Sequence, residues 1–373
     1  MPGESEDSRY MGAALRLARR GLGRTWPNPA VGCLIVGGAG EDARILGRGW
    51  TQPGGRPHAE TGALAEAAEA ARGATLYVTL EPCAHHGRTP PCAEAIIAAG
   101  IARVVSALRD PDPRVAGQGH EMLRQAGIEV MEGVCEDEAL AVNIGHVTRV
   151  SQGRPFIQLK LAHSRDGRIA GPGREQVAIS GDIARGWVHR MRAQADAILV
   201  GAGTLAADDP LLTCRLPGAA ARSPVRVVLD SAKGAGPGAR IFADAGGAPV
   251  WLLSAQEKAE ERAGVLRGSS AEVIAIAADA GGRPEIGAAM SALGARGITR
   301  LMVEGGAEIA AALVAADLAD EVVLIEGTLE IGEGGLKVFG REGPGLVASS
   351  RQFVLADEFA LGEDHWRRYS RRG

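Results

Sequence analysis

Short apolar segments alternate with amphipathic helical segments along almost the whole chain, and one polar stretch interrupts this alternation. Before the interruption, helical patterns such as residues 10–23 and 58–72 alternate with strand patterns such as 30–38 and 74–80. Alternation of this kind is typical of βαβ units, in which helices cover both faces of a sheet. The pattern predicts an α/β protein whose N-terminal part is a three-layer α/β/α domain.

The interruption lies at residues 150–155, and a new strand pattern follows at 156–160. Further strand patterns between helical or loop segments cover 196–201, 224–230, 248–254, 272–277, 298–305 and 320–326. A chain of 373 residues, 46% of them hydrophobic, is long enough to bury two cores. We therefore expect an N-terminal domain at 1–150 and a second α/β domain at 154–373.

Composition points to a small-molecule substrate. Lys and Arg total 41 against 45 Asp and Glu, so the net charge of -4 argues against nucleic acid as a partner. Aromatic residues make up only 3%, too few for base-stacking surfaces. The N-terminus is polar and acidic, and no segment is apolar for 18 residues, which predicts a cytoplasmic protein without membrane contact. Five cysteines in so long a chain do not indicate a disulfide framework.

A His-x-Glu motif and two cysteines form a candidate metal site. His58 and Glu60 begin a helical pattern, Cys83 follows the strand pattern 74–80 and is expected to begin another helix, and Cys92 lies nine positions later. One imidazole and two thiolates leave a tetrahedral zinc its fourth position for water. Zinc lowers the pKa of that water to give a hydroxide nucleophile, and Glu60 is placed to relay protons. H-x-E followed by P-C-x-x-C is the zinc deaminase signature, so we predict hydrolytic deamination of a pyrimidine-type substrate.

The spacing between the cysteines differs from that signature. Eight residues separate them where base and nucleoside deaminases have two, and the insertion is predicted to form a loop over the zinc. A structural zinc knuckle is the alternative, with His85 or His86 as a fourth ligand. If the site is catalytic and not a knuckle, these histidines are instead candidates for contacting the substrate, and His85 is the one that we predict. Asn28, between two prolines, is a second candidate for binding substrate, although it could also be a plain turn residue.

The motifs TWPNPAVGC, HAE, YVTLEPCAHHGRTPPC and DPDPRVAGQG resemble the deaminase domain of bifunctional riboflavin-biosynthesis proteins. The chain continues with RPFIQLKLAHSRDGRIA, MRAQADAILVGAGTLAADDPLLTCR and MVEGGAEIAAAL, which resemble the reductase domain of the same family. The resemblance implies a cytidine-deaminase-like domain followed by a dihydrofolate-reductase-like domain with a mixed sheet. It also implies Zn²⁺ and NADPH as cofactors and two consecutive reactions: deamination of diaminohydroxyphosphoribosylaminopyrimidine, then reduction of the ribosyl group of 5-amino-6-(5-phosphoribosylamino)uracil to ribityl.

The candidate reductase residues combine that resemblance with local chemistry. Gly306 and Ala307 begin a helix whose backbone amides can bind a pyrophosphate, and Lys160 could approach substrate oxygens from a strand end. Two arginines suit a phosphorylated sugar, although either could be an ordinary surface residue. The predicted cofactor contacts are Ala162, Val177, Thr204, Asp208, Ser231, Gly306 and Ala307. The predicted substrate contacts are Lys160, Glu175, Arg192, Leu212, Arg215 and Glu304.

Three alternatives stay open. Residues 201–206 mimic the dinucleotide fingerprint G-x-G-x-x-A, which would indicate a Rossmann domain, but Asp230 lies too far along the chain and the helix is cut short at Asp208. The C-terminal domain could bind nucleotide without reducing, since Glu175 and Val177 stand where the family usually has Ser-Gln-Trp-Ile. The chain could also be a nucleoside or tRNA-base deaminase with an unrelated second domain. Apolar helices such as the one after Gly306 predict a homo-oligomer.

Overall fold

The computed structural model describes residues 5–86, 90–113, 115–230, 236–242 and 248–372. It divides the chain into two compact units, Met1–Gly153 and Arg154–Gly373. Ser231, one of the predicted cofactor contacts, and Arg88 of the inter-cysteine insertion lie outside the described residues. No helix in the described part of the chain has both the length and the apolar character needed to cross a bilayer.

The N-terminal unit is a five-stranded sheet with helices packed on it. Its strands are β1 (Gly32–Gly37), β2 (Arg44–Trp50), β3 (Thr75–Leu80), β4 (Arg103–Leu108) and β5 (Glu129–Met131). Its helices are α1 (Glu6–Ala18), α2 (Ala59–Ala67), α3 (Cys92–Ala99), α4 (Gln118–Gln125) and α5 (Glu136–Gln152). The strand order is β2-β1-β3-β4-β5, with β3, β4 and β5 parallel.

The alternation indicated βαβ units, but the first part of this sheet departs from them, because β1 runs antiparallel to both β2 and β3. The sequence patterns also missed β2. This strand contains Gly47 and Gly49, and α2 lies so close to it that a Cβ on Gly49 would stand 1.8 Å from the Ala59 carbonyl oxygen. The glycines therefore let the helix that begins beside His58 rest directly on the sheet.

The C-terminal unit contains a nine-stranded mixed sheet in the order β11-β10-β9-β8-β12-β6-β13-β16-β15. Its strands are β6 (Phe156–His163), β8 (Ala197–Gly201), β9 (Val225–Leu229), β10 (Val250–Ala255), β11 (Ala271–Ile276), β12 (Arg300–Val303), β13 (Glu321–Glu326), β15 (Phe353–Leu361) and β16 (Asp364–Arg371). A separate two-stranded sheet pairs β7 (Arg168–Ala170) with β14 (Leu336–Lys337). The helices are α6 (Asp182–Arg192), α7 (Ala202–Asp208), α8 (Gln256–Val265), α9 (Ile286–Ala295), α10 (Ala307–Ala315) and α11 (Gly345–Ala348).

The seven predicted strands of this unit are all present, as β6 and β8 to β13, and they pair in parallel. The C-terminal hairpin of β15 and β16 adds two antiparallel strands that the patterns did not predict. In β15 the residues are mostly exposed, so it lacks the apolar run typical of a buried parallel strand. The mixed sheet is what the family resemblance implied.

Candidate functional sites

The predicted zinc ligands meet at the edge of the N-terminal sheet. His58 caps the N-terminus of α2, Cys83 follows β3, and Cys92 is the first residue of α3. The structure thus corrects one detail of the prediction, since Cys92 and not Cys83 begins a helix. Pro90 and Pro91 precede α3, and proline is well suited to the start of a helix but not to its interior.

The ligand atoms are close enough to share one metal ion. His58 Nδ1 lies 3.3 Å from Cys92 Sγ and 3.8 Å from Cys83 Sγ, and all three ligand atoms lie within 4.8 Å of one another. Tetrahedral zinc with Zn–N and Zn–S bonds of about 2.0 and 2.3 Å places its ligand atoms roughly 3.5 Å apart. The donor set and its spacing therefore fit Zn²⁺, with one coordination position left for a small molecule.

No fourth protein ligand belongs to this cluster within the part of the chain that the structure describes. Among the described residues, the group that could hold a metal consists of His58, Cys83 and Cys92. His85 is exposed, and His86 forms an ion pair with Glu94 through Nε2 at 2.9 Å. The geometry therefore favours an open, catalytic type of zinc site over the zinc knuckle.

Glu60 is buried beside the cluster, with 4% of its surface exposed. Burial raises the pKa of this carboxyl group, and the nearby Cys83 thiolate raises it further. The pKa of Cys83 is lowered to about 4, chiefly by its hydrogen bond with Cys92 and also by His58, which favours the thiolate that a metal requires. A raised pKa makes this carboxylate a stronger proton acceptor than an ordinary glutamate, as a proton relay requires.

Asn28 stands on the His58 side of this site. Its Nδ2 donates a hydrogen bond to the Gly55 carbonyl oxygen at 3.2 Å, and a Cβ on Gly55 would overlap the amide. The side chain is therefore held in place by the turn that leads to His58. Its carbonyl oxygen remains a candidate acceptor for substrate.

In the C-terminal unit, a charged cluster forms at the carboxyl ends of the central parallel strands. Arg192 is almost buried and binds Glu304 in a bidentate pair, with Nε–Oε1 at 2.6 Å and Nη2–Oε2 at 2.9 Å. The Arg192 guanidinium also donates to the Thr213 carbonyl oxygen at 3.1 Å. Burial lowers the pKa of Lys160, Glu304 opposes that shift, and Arg192 adds to it. The charges of Lys160, Arg192 and Glu304, all predicted substrate contacts, therefore influence one another.

The segment after α7 carries two further predicted substrate contacts, and they differ. The Arg215 side chain is exposed, and its backbone N–H donates to His189 Nδ1 at 3.3 Å. Leu212 has a φ of 55°, and its side chain is 2% exposed within a core that includes Leu205. The Leu212 side chain therefore packs in the core, so a substrate contact at this position would use its backbone, and that contact stays a prediction.

Three of the predicted cofactor contacts, Thr204, Gly306 and Ala307, lie around two helix N-termini. Gly306 caps α10 and Ala307 is its first residue, while Thr204 lies in α7. A Cβ on Gly306 would lie 3.0 Å from Thr204 Oγ1, so the two helix starts are in contact. Free backbone amides and a close approach permitted by glycine fit the pyrophosphate of a dinucleotide.

The other predicted cofactor contacts that the structure describes, and Glu175, are not part of these two helix N-termini. Asp208 is exposed at the last residue of α7, which confirms that this helix is cut short, as the case against a Rossmann domain requires. Asp230 does not face a free ribose site, because its carboxylate is paired with Arg262 Nε at 2.9 Å. Ala162 and Val177 are half-buried, and Glu175 is exposed.

Sequence reasoning missed Glu81 and His189. Glu81 is buried next to the zinc cluster and accepts hydrogen bonds from backbone amides far along the chain. His189 lies beside Arg192 and Arg215, and burial followed by these two charges lowers its pKa to about 4. Most groups that Glu81 and His189 contact are distant in sequence and meet them only in the folded chain, so the sequence patterns did not reveal these contacts. For Glu81, its place in the motif LEPC was the one available signal.

Comparisons with known proteins match both halves of the chain. Residues 4–108 match the cytidine and deoxycytidylate deaminase zinc-binding region, and residues 155–359 match the RibD C-terminal domain. The riboflavin biosynthesis protein RibD of Escherichia coli is 40% identical over 370 residues, covering 96% of this chain and 98% of that protein.

Solved structures give the same result over the whole chain. The structure of RibD from Acinetobacter baumannii has a TM-score of 0.84 at 35% identity. The alignment covers 98% of this chain and 99% of the Acinetobacter chain. The Thermotoga maritima diaminohydroxyphosphoribosylaminopyrimidine deaminase/5-amino-6-(5-phosphoribosylamino)uracil reductase has a TM-score of 0.85 at 36% identity, with the same coverage. The second domain therefore matches riboflavin biosynthesis proteins as well, which rules out the alternative of an unrelated second domain. This chain belongs to the RibD family of riboflavin biosynthesis proteins.

Proposed function

We propose that this chain is a bifunctional riboflavin-biosynthesis enzyme, with a zinc-dependent deaminase at 1–150 and an NADPH-dependent reductase at 154–373. The substrate of the first reaction is diaminohydroxyphosphoribosylaminopyrimidine, and that of the second is 5-amino-6-(5-phosphoribosylamino)uracil. The observation that carries the proposal is the His58, Cys83 and Cys92 cluster with buried Glu60 beside it. Ammonia release from the diaminopyrimidine by purified protein tests it.

In the deaminase, His58, Cys83 and Cys92 would hold Zn²⁺, which supplies Lewis acidity and lowers the pKa of water. Glu60 takes the proton of the attacking water on its carboxylate and delivers protons to the ring nitrogen and the departing amine. Water and the amino-bearing carbon thus give a carbonyl group and ammonia. Asn28, held by Gly55, and the exposed His85 bind the substrate beside this centre.

In the reductase, NADPH would donate hydride to the carbonyl carbon of the opened ribosyl group. The helix starts at Gly306, Ala307 and Thr204 bind its phosphates, with Asp208 and Ala162 as further contacts. Lys160 donates a proton to the sugar oxygen, while Arg192 and Glu304 orient it. Arg215 binds the substrate phosphate through its exposed guanidinium.

This role for Lys160 predicts an alkaline limit on reduction. The pKa of Lys160 lies below its ordinary value of 10.5, and only the protonated amine can donate, so the rate falls as pH rises through that lowered pKa. We expect Lys160→Arg to lose this alkaline limb and to lower kcat by about 10²-fold. Rates measured from pH 7 to 10.5 check this, and an unchanged profile in the variant would contradict it.

The cofactor site can be tested by filling the space between the two helix starts. Gly306→Ala places a Cβ 3.0 Å from Thr204 Oγ1, so the Thr204 side chain or the start of α10 must shift by a few tenths of an ångström within the proposed pyrophosphate site. We expect NADPH affinity to fall by about tenfold. Gly186→Ala is the matched control, because a Cβ there meets nothing within 4 Å. Fluorescence titration with NADPH measures both, and equal affinities would argue against a pyrophosphate site here.

We further propose that the enzyme works in the cytoplasm as a homo-oligomer on small molecules, without nucleic acid or membrane partners. The net charge of -4 and the scarcity of aromatic residues support small-molecule substrates. Exposed Ile183 and Trp187, one turn apart on α6, support self-association. Analytical ultracentrifugation tests the oligomeric state, and a sedimenting species of one chain would refute it.

A further inference from the structure

Glu81 joins two segments that are distant in sequence. Its carboxylate is buried and accepts three backbone N–H groups, from Asp110 at 3.2 Å and from Gly117 and Gly119 at 2.9 Å each. These donors lie 29 to 38 residues after Glu81. One side chain therefore binds the described part of the segment 109–119, residues 109–113 and 115–119, which connects β4 to the first turn of α4.

The same segment is pressed against the residues that carry Cys83. A Cβ on Gly119 would lie 1.9 Å from the Pro82 carbonyl oxygen, so the two backbones are in direct contact. The Glu81 N–H donates to the Leu108 carbonyl oxygen at 2.8 Å, which continues the parallel pairing of β3 and β4. Residues 109–119 therefore leave the sheet at the edge where the cysteine cluster lies.

Helix α5 connects this segment to the Asn28 side of the site. His146 Nε2 lies 3.9 Å from Asp110 Oδ1, and one turn later Arg149 Nη2 donates to the Pro27 carbonyl oxygen at 3.0 Å. Asp110 and the turn around Asn28 therefore both contact the same helix, α5.

We propose that Glu81 is a positioning residue for deamination, which fixes residues 109–119 as a wall of the substrate pocket. The inference rests on the proposed deaminase function. Glu81 acts through the backbone amides that it binds and does not touch the reacting atoms. A carboxylate suits this role because it only accepts hydrogen bonds and binds N–H groups about twice as strongly as a neutral acceptor.

Glu81→Gln is the direct test. The glutamine amide would present N–H donors to a cluster of N–H donors and leave at least one of them unsatisfied. We expect the KM for the diaminopyrimidine ribosyl phosphate to rise by about tenfold, with kcat changed by less than about threefold, because Glu60 and the ligands are untouched. Hydrogen exchange of peptides within 109–119, read by mass spectrometry, is expected to accelerate, while zinc content stays the same.

Two further variants make the test decisive. Glu66→Gln is the matched control, since Glu66 is an exposed carboxylate that accepts from the Arg48 backbone and should change neither measurement. Gly119→Ala pushes the segment away from Pro82 while Glu81 stays in place, and it should reproduce the phenotype if Glu81→Gln does not fold.

The outcomes separate this inference from the proposed function. Unchanged exchange and unchanged KM in Glu81→Gln would overturn the positioning role, and so would a loss of zinc in proportion to activity. Absence of ammonia from the wild-type protein would overturn the deaminase proposal itself, while exchange would still report whether Glu81 holds residues 109–119.

Discussion

Replacing Glu60 by Gln is expected to lower ammonia release by about 10³-fold, because glutamine cannot carry the proton between water, ring nitrogen and leaving amine. Glu60 is only 4% exposed, so bulk solvent cannot readily replace its carboxylate in this step. Ammonia release from the diaminopyrimidine ribosyl phosphate, followed with purified protein, measures the effect.

Two controls show whether Glu60 acts chemically. Zinc content should be the same in Glu60→Gln and wild type, and NADPH oxidation with the deaminated intermediate should be unchanged. Glu66→Gln, on the same helix but exposed, should release ammonia at the wild-type rate. Deamination by Glu60→Gln within tenfold of wild type would contradict the proposed proton relay.

Replacing Arg192 by Leu is expected to destabilise the C-terminal unit by about 3–5 kcal/mol and to abolish reduction, because Glu304 would lose its bidentate partner while it remains largely buried. The side chains of Arg192 and Glu304 are only 10% and 13% exposed, so water cannot replace the guanidinium well. Thermal unfolding and NADPH oxidation measure the two effects.

Companion variants separate folding from function. Arg283→Leu breaks the exposed pair with Asp279 and should cost less than about 1 kcal/mol. Combining Arg192→Leu with Glu304→Gln removes the unpaired charge, so stability should recover in part while reduction stays absent. Recovery of reductase activity in the double variant would show that the pair is structural only.

The deaminase chemistry was predictable from the sequence because the residues of the motif are themselves the metal ligands and the proton carrier. The H-A-E and Cys83/Cys92 motifs gave the zinc donor set directly, and the family, the fold class and the cofactors Zn²⁺ and NADPH are confirmed by the comparisons. The strands of the C-terminal sheet were predictable because parallel strands buried on both faces read as continuous apolar runs.

Helix α5 and the contacts of Glu81 were not predicted from the sequence, because both depend on tertiary contacts. The buried side of α5 includes Asn143, Gly145 and Thr148, which weaken the apolar periodicity that identifies a helix. The partners of Glu81 are backbone amides, which no side-chain pattern reveals. Leu212 was assigned to the substrate site by resemblance, yet its side chain packs in the core.

The most direct test of the two-reaction account is a single assay that follows ammonia and NADPH together. Zinc-loaded protein is mixed with NADPH and the diaminopyrimidine ribosyl phosphate, and both are quantified in the same sample. The account predicts one ammonia released and one NADPH oxidised for each substrate consumed. Ammonia without loss of NADPH would contradict the reductase half and favour a C-terminal domain that only binds nucleotide, and absence of ammonia would contradict the account at its first step.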